Sequence, residues 1–369
     1  MKKLCCVFNI PSLYREAIYL EIDKSFDCEW FFENEKIDIT LFDTNQLKNV
    51  SFLDHGSFVG RFYRMKGLTK LLWKRNDFDA YLLVGAPMCV SIWSLCILLK
   101  IFHPKKKIFF WTHGWYGKES YAERIVKKRF LKLADELFVY GNYAKELLVN
   151  NGFKEERLHV IHNSLSYDVQ LGLRDQMLST DIYRKHFGNS RPVLIFIGRL
   201  TPIKKLDMLL DALDILNHRG KYYNLVFVGG GKEQGSLEHK TKELNLDQQV
   251  WFYGACYEEK TNAELIYNAD LCVAPGNIGL TAMHVLMFGC PAITHNNFSY
   301  QMPEFEAINP FKTGNFFEWG DVVSLADTIE EWFKVNGSLR DNVRKCCYKE
   351  IDEYWTPKYQ MNVLKQTLR

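Results

Sequence analysis

Phe196-Ile197-Gly198-Arg199-Leu200-Thr201-Pro202-Ile203-Lys204-Lys205-Leu206-Asp207 reads as an apolar strand that breaks at glycine and enters a helix after proline. A ligand at the carboxyl end of such a strand meets bare backbone, a helix start and cations, the groups a diphosphate needs. Gly198 is the point of closest approach, and Arg199 and Lys204 are the candidate cations. On both sides of this stretch, short β-branched and aromatic runs alternate with helical periodicity, the pattern of parallel α/β sheets.

The expected strands of the first half are Leu4–Asn9, Ile37–Phe42, Ala80–Val84, Lys107–Thr112, Glu136–Tyr140 and Leu158–Ile161. Those of the second half are Val193–Ile197, Asn224–Val228, Val250–Tyr253, Leu271–Ala274 and Pro291–Thr294. Two doubly wound α/β domains follow, residues 1–175 and 190–345, with the seam in the polar stretch between Tyr167 and Pro192. Residues 346–369 form a C-terminal helix expected to pack back toward the first domain. Trp332, Phe333, Tyr348, Tyr354 and Trp355 are the expected packing residues of the helical stretch from Val322 onward.

The chain has 369 residues, 47 Lys plus Arg against 44 Asp plus Glu, and 15% aromatic residues. The small net charge gives no signal for a nucleic-acid-binding protein, so any attraction to anions must be local. The ten cysteines include two adjacent pairs but no C-x-x-C spacing, and most lie in apolar runs, which points to a reducing cytoplasm. The N-terminal apolar stretch ends by Asn9 and Pro11, too short for a signal peptide, and reads as a first strand. No apolar run approaches the ~20 residues of a membrane-spanning helix.

Gly56–Arg75 holds six Lys/Arg and no acid, interleaved with Phe58, Phe62, Tyr63, Leu68, Leu71, Leu72 and Trp73. Such a stretch can lie on an anionic bilayer, rings buried and cations at phosphates, or form an amphipathic helix with a solvated basic face. Arg61, Arg64, Lys66 and Lys70 would carry the membrane or acceptor face.

Three more motifs lie in the second half. Val226-Phe227-Val228-Gly229-Gly230-Gly231 is again strand into glycines, which lets amides approach a phosphate or simply makes a tight turn. Val250-Trp251-Phe252-Tyr253-Gly254-Ala255-Cys256 places a loop near the same sheet edge. Ala274-Pro275-Gly276-Asn277-Ile278-Gly279-Leu280-Thr281 leads a glycine-rich loop into a short helix whose first amides can hold an anion.

In this order and spacing the four motifs resemble the nucleotide-binding half of GT-B glycosyltransferases, in particular the retaining family 4 with its glycosyl transferases group 1 domain. The resemblance is strong over about 190–330 and loose over the first half. It implies two Rossmann-like domains facing across a cleft, acceptor in the first and nucleotide-sugar donor in the second. It gives Arg199 and Lys204 the donor diphosphate, with Gly198, Gly230, Gly254, Asn277, Gly279, Leu280 and Thr281 around the donor. The family's two glutamates, separated by seven residues, align with Gly276 and His284. Histidine can still bond a ribose hydroxyl, whereas Gly276 has only backbone, and Glu304 or Glu306 can supply a sugar-contacting carboxylate. His113, at the carboxyl end of Lys107–Thr112, sits where retaining relatives place a catalytic histidine, and Trp111, Trp115 and Tyr116 flank it.

The resemblance thus implies sugar transfer from a nucleotide-sugar, UDP preferred over GDP, to a hydroxyl of a lipid-linked glycan in capsule, exopolysaccharide or lipopolysaccharide biosynthesis. Transfer would be retaining and need no cofactor or metal, with His113, Arg199 and Lys204 catalytic. Docking would be peripheral, on the inner face of the cell membrane. A nucleotide-sugar 2-epimerase and a silent sugar-nucleotide-binding protein are the alternatives.

Overall fold

The protein is described here by a computed structural model covering residues 2–34 and 40–368. It divides into two compact units, one formed by residues up to Ser166 together with 356–369 and the other by Tyr167–Trp355. The second unit runs through Trp355, so only 356–369 of the expected 346–369 segment groups with the first.

In the first unit the chain forms β1 (Lys3–Phe8), α1 (Glu16–Ser25), β2 (Asp27–Asn34), β3 (Val50–Ser57), β4 (Tyr63–Met65), α2 (Leu68–Leu72), β5 (Ala80–Val84), α3 (Val90–Phe102), β6 (Lys107–Thr112), α4 (Tyr121–Leu131), β7 (Glu136–Val139), α5 (Asn142–Asn150) and β8 (Leu158–Val160). Among the described residues the sheet order is β4-β3-β2-β1-β5-β6-β7-β8, parallel except where β4 returns along β3. Side chains alternate across a strand, so a parallel sheet covered on both sides needs two cores. Cys5, Val7, Leu83 and Phe110 enter one core; Cys6, Phe8, Leu82 and Trp111 enter the other.

The second unit contains α6 (Tyr167–Arg174), α7 (Ile182–Phe187), β9 (Val193–Ile197), α8 (Asp207–His218), β10 (Asn224–Val228), α9 (Gln234–Glu243), β11 (Val250–Gly254), α10 (Glu259–Asn268), β12 (Leu271–Ala274), α11 (Thr281–Met287), β13 (Ala292–His295), β14 (Gly314–Phe317), α12 (Val322–Asn336) and α13 (Arg340–Tyr354). Its all-parallel order is β11-β10-β9-β12-β13-β14. The order reverses between β9 and β12, and the crevice outside such a reversal is where open α/β sheets bind ligands.

Several expectations change. Of the strand expected at Ile37–Phe42, residues 37–39 lie outside the described residues, and the strand that pairs with β1 is Asp27–Asn34. The basic stretch is the tip and return of a hairpin followed by one helical turn, because Gly56, Gly60 and Gly67 punctuate it. The expected seam is helical: Arg174 forks onto Asp352 at 2.9 and 3.0 Å, Tyr167 donates to the same carboxylate at 2.9 Å, and the Tyr183 hydroxyl donates to the Leu265 carbonyl at 2.7 Å. Trp332 and Trp355 are buried as expected, but Tyr354 faces solvent.

The last helix, α14 (Pro357–Thr367), belongs to the first unit. Its Met361 and Leu364 join Ile18 and Ile22 of α1 in the second of the two cores. Gln360 ties it down, donating to the His162 carbonyl at 3.0 Å and accepting from Ser164 Oγ at 2.7 Å. Leu364→Ala is expected to cost about 2–5 kcal/mol, read as a lower urea midpoint of the full chain. An unchanged midpoint would show that α14 does not anchor the first unit.

Candidate active site

The ends of β9, β10 and β11 are joined by backbone alone. Gly198 N donates to Val228 O at 2.9 Å, Leu200 N to Gly230 O at 3.0 Å and Gly229 N to Gly254 O at 2.8 Å. A side chain would wedge these loops apart: at Gly229, where φ is +148°, a Cβ would stand 1.9 Å from the Gly198 carbonyl oxygen. The glycines of the second motif therefore serve close loop packing, which brings Gly198, Gly230 and Gly254 to one sheet edge.

From the other side of the reversal, the loop after β12 lies directly on the turn that carries Lys204. Gly276 N donates to Lys204 O at 2.9 Å, and Lys204 Nζ donates to Asn277 O at 2.5 Å. A Cβ at Gly276 would fall 2.1 Å from Ile203 O. No glutamate fits at this position, which gives the departure from the family pattern a steric cause.

The helix expected after Pro202 is entered in two steps. Pro202–Lys204 is a single 3-10 turn closed by Lys205 at φ +48°, and α8 starts at Asp207. Lys204 is thus presented by a tight turn, partly buried, while Arg199 is exposed. Burial lowers the Lys204 pKa; the nearby Glu304 carboxylate opposes this and Arg199 adds to it. Glu304 is itself 2% exposed, so the structure brings one of the two expected carboxylates within the field of Lys204. Glu306 lies partly exposed on the same turn, Pro303–Ala307.

Thr281 Oγ1 donates to Ile197 O at 3.0 Å, joining the start of α11 to the end of β9. Gly279, at φ +55°, and Leu280 form the turn before it. His284 Nε2 lies 3.0 Å from Glu259 Oε1, and Gln170 Nε2 donates to the same oxygen at 2.8 Å. Burial works against the Glu259 charge, yet His284 and Gln170 hold its carboxyl below the ordinary range.

Sequence reasoning missed Glu259, along with two residues that fix the 276–278 loop. Gln301 is buried; its Oε1 accepts from Ile278 N at 3.0 Å and its Nε2 donates to Thr294 Oγ1 at 2.8 Å. Thr294 Oγ1 in turn donates to Ala274 O at 2.8 Å and lies 3.1 Å from Gly276 O. A lone Gln seven residues past a strand threonine carries no pattern by which to find it.

In the first unit, Thr112 Oγ1 donates to Gly85 O at 3.0 Å and accepts from Gly114 N at 3.1 Å, which turns the chain at His113. Glu119 holds the following loop by accepting from the Tyr116 and Gly117 amides at 2.8 and 2.9 Å and from Lys127 Nζ at 2.7 Å. The His113 ring lies 5.8 Å from Tyr116 and 4.6 Å from Tyr140, centroid to centroid. Trp115, expected to flank the site, is buried in the other core beside Phe153. Burial, then the charges of Arg15 and Lys127, push the His113 pKa down to about 3. His113 is therefore neutral at physiological pH, suited to hydrogen bonding rather than to acting as a cation.

The four basic residues of the hairpin region, Arg61, Arg64, Lys66 and Lys70, are all exposed, and Arg61 reaches Glu123 at 3.0 Å. Phe58 and Val59 project at the hairpin tip, 56% and 68% exposed. Beside α2, the end of α3 exposes Ile97, Ile101 and Phe102. No helix of the described residues is long and apolar enough to cross a membrane. The chain also contains Asp77-Phe78-Asp79, a spacing that can chelate metal; here Asp77 pairs with Lys3 and Arg75, and Asp79 accepts the Lys3 amide at 2.7 Å.

Two outcomes are expected from this geometry. Gly276→Ala should overpack the 203–204 turn and cost about 1–3 kcal/mol or more, and Gly276→Glu should not strengthen nucleotide binding; tighter binding by calorimetry would refute the steric reading. Imidazole NMR should show His113 neutral down to about pH 5. The unfolded chain takes up this proton near 6.5 and folded His113 only near 3, so its contribution to stability falls as pH drops through that window. A His113 midpoint at or above its ordinary value would mean a hydrated ring.

Residues 180–349 match the family model described as Glycosyl transferases group 1. Over 114 residues the chain is 33% identical to a GDP-mannose-dependent alpha-(1-6)-phosphatidylinositol dimannoside mannosyltransferase of Mycobacterium tuberculosis, covering 30% of this chain and 29% of that protein. Over 158 residues it is 25% identical to the mannosylfructose-phosphate synthase of Agrobacterium fabrum, 40% of this chain and 34% of that one. The matched stretches thus span about a third of these relatives' length. The whole fold is similar to the lipopolysaccharide outer core galactosyltransferase WaaB, with a TM-score of 0.73 at 16% identity over 99% of both chains. It is equally similar to Anabaena HepE solved with UDP, with a TM-score of 0.73 at 16% identity over 100% of this chain and 99% of that one. Residues 180–349 are thus similar to the glycosyl transferases group 1 family, within a chain of GT-B fold.

Proposed function

We propose that this protein is a glycosyltransferase that moves a sugar from a nucleoside diphosphate donor, bound by the second unit, to a hydroxyl of an acceptor bound by the first. The observation that carries this reading is the convergence of Arg199, Lys204 and three glycine-rich loops at the order reversal of a sheet in a group 1 domain. As the C1–O bond breaks, charge grows on the departing phosphate, and fixed cations and amides stabilise it most where they need not reorganise. Arg199 supplies an exposed planar fork, and Lys204 a charge anchored by Asn277. The donor base is uracil or guanine: HepE was solved with UDP, and the mycobacterial relative is named for GDP-mannose. UDP is our preference. Without an assured nucleophile, the acceptor attacks on the face the phosphate leaves, the phosphate takes its proton, and configuration is retained.

The acceptor is a lipid-linked glycan of cell-surface polysaccharide assembly, met at a membrane surface. The exposed Phe58 and Val59, and Leu71, Ile101 and Phe102 among exposed lysines, have the composition of a peripheral face. Titration with UDP, GDP and CMP should reveal one nucleotide whose affinity falls at least about tenfold in Arg199→Ala, as loss of a charged hydrogen bond implies; no nucleotide binding at all would overturn the reading. Sedimentation with phosphatidylglycerol vesicles should fall with rising salt and in a variant with Arg61, Arg64, Lys66 and Lys70 changed to Gln. Failure to bind at low salt would remove the membrane from the proposal.

A further inference from the structure

At the carboxyl ends of β1, β6 and β7 the first unit encloses a cation with no carboxylate partner among the described residues. Arg15, just before α1, donates through Nη1 to the Tyr19 hydroxyl at 3.3 Å and through Nη2 to the Tyr140 hydroxyl. Its guanidinium lies 5.6–6.0 Å from the ring centroids of Phe8, Tyr14, Trp111 and Tyr140. Its Nε is buried without a hydrogen-bond partner. Two more nitrogens share this state close by, Trp111 Nε1, on a side chain 2% exposed, and His113 Nδ1. Tyr140 links the three, bonded to Arg15 and with its ring 6.2 Å from Trp111 and 4.6 Å from His113.

Buried polar groups are normally satisfied, and an unpaired group in a folded protein calls for a reason. Ring faces offset part of the cost of burying a guanidinium but accept no hydrogen bond in its plane. Arg15 as a residue is partly exposed, while its Nε is buried. A neutral sugar would occupy the N–H groups and leave the charge unmet; an anionic oxygen meets both, and arginine forks match planar carboxylates and phosphates. His113 also lines a cavity of about 170 Å³ with Gly85, Thr112, Gly114, Tyr116 and Lys127, room for a ring beside the imidazole.

We infer that the first unit recognises an acceptor bearing an anionic group, a phosphate or a carboxylate, held by Arg15 with Trp111 and His113. The identification of this ligand as the acceptor rests on the glycosyltransferase reading; the anion site itself does not. Arg15 is a binding residue in this scheme, and His113 borders both the anion and the sugar.

The test uses the full chain with its nucleotide, UDP or GDP, present at saturation so that donor phosphate contacts are filled. Glucose 1-phosphate, glucuronate and methyl glucoside are then titrated separately. One anionic sugar should bind at least about tenfold more tightly than methyl glucoside, and which one does so separates phosphate from carboxylate. Arg15→Gln should abolish that preference, Arg15→Lys should keep part of it, and Trp111→Phe should weaken it by loss of one donor. If Arg15→Gln does not fold, the Lys and Phe variants carry the comparison. The inference fails if the wild type binds neither anion saturably below about 10 mM, if methyl glucoside binds as well as both, or if all variants keep the preference. Loss of nucleotide binding in the wild type would instead overturn the glycosyltransferase reading, and the anion titrations would still decide the site.

Discussion

Between β9 and β12 two stretches of main chain meet with no side chain between them. Residues 276–277 lie on the 203–204 turn, Gly276 N bonded to Lys204 O and Lys204 Nζ bonded back to Asn277 O. Buried main-chain groups must be paired, and here each loop satisfies the other. Much of the proposed donor site depends on this contact. It fixes Lys204 on a tight turn, brings Glu304 within its field, and leaves Gln301 and Thr294 to hold the loop from beneath. Any side chain on residue 276 would collide at its Cβ with the Ile203 carbonyl; at this position the site is built from backbone and not from acid.

Strands buried on both faces were the most legible part of the sequence, because a continuous apolar run such as Val193–Ile197 or Ala80–Val84 has few other uses. Among strands at or near a sheet edge, Leu158–Val160 and Val250–Gly254 were legible and three others were not. Val50–Ser57 mixes Asp54, His55 and Gly56 into its length, Tyr63–Met65 is three residues long, and Gly314–Phe317 is short and preceded by polar residues. Asp27–Asn34 reads as a run closed by acids, although Trp30, Phe31 and Phe32 are buried. In the candidate site, glycine spacing exposed the loops and the paired cations. Glu259, Gln301 and Arg15 stayed hidden, since each has partners far along the chain, such as Tyr140 for Arg15, and none belongs to a local motif.

Both units build their strands outward from a central reversal, the first with an added strand at each side, and their carboxyl ends differ in composition. In the second unit glycines bring bare amides to the edge. In the first, Phe8, Trp111 and Tyr140 stand around Arg15, and only Thr112 and Gly114 turn the chain at His113. A nucleoside diphosphate presents concentrated charge at many oxygens, which suits amides and flexible cations. A sugar with one charged substituent presents flat apolar faces and a single anion, which suits rings around one guanidinium.

The aromatic content of the chain then has an electrostatic role beyond filling cores. A guanidinium that gave its charge to a carboxylate would have little left for a ligand, whereas one held by ring faces and tyrosine hydroxyls keeps most of its field. Part of that field falls on His113, where burial already disfavours protonation and Arg15 and Lys127 disfavour it further. The imidazole is thereby kept neutral, able to donate from one nitrogen and accept at the other. An anion at Arg15 would partly cancel this repulsion and raise the His113 pKa, so occupancy of the proposed anion site and the basicity of the neighbouring imidazole are coupled through one charge.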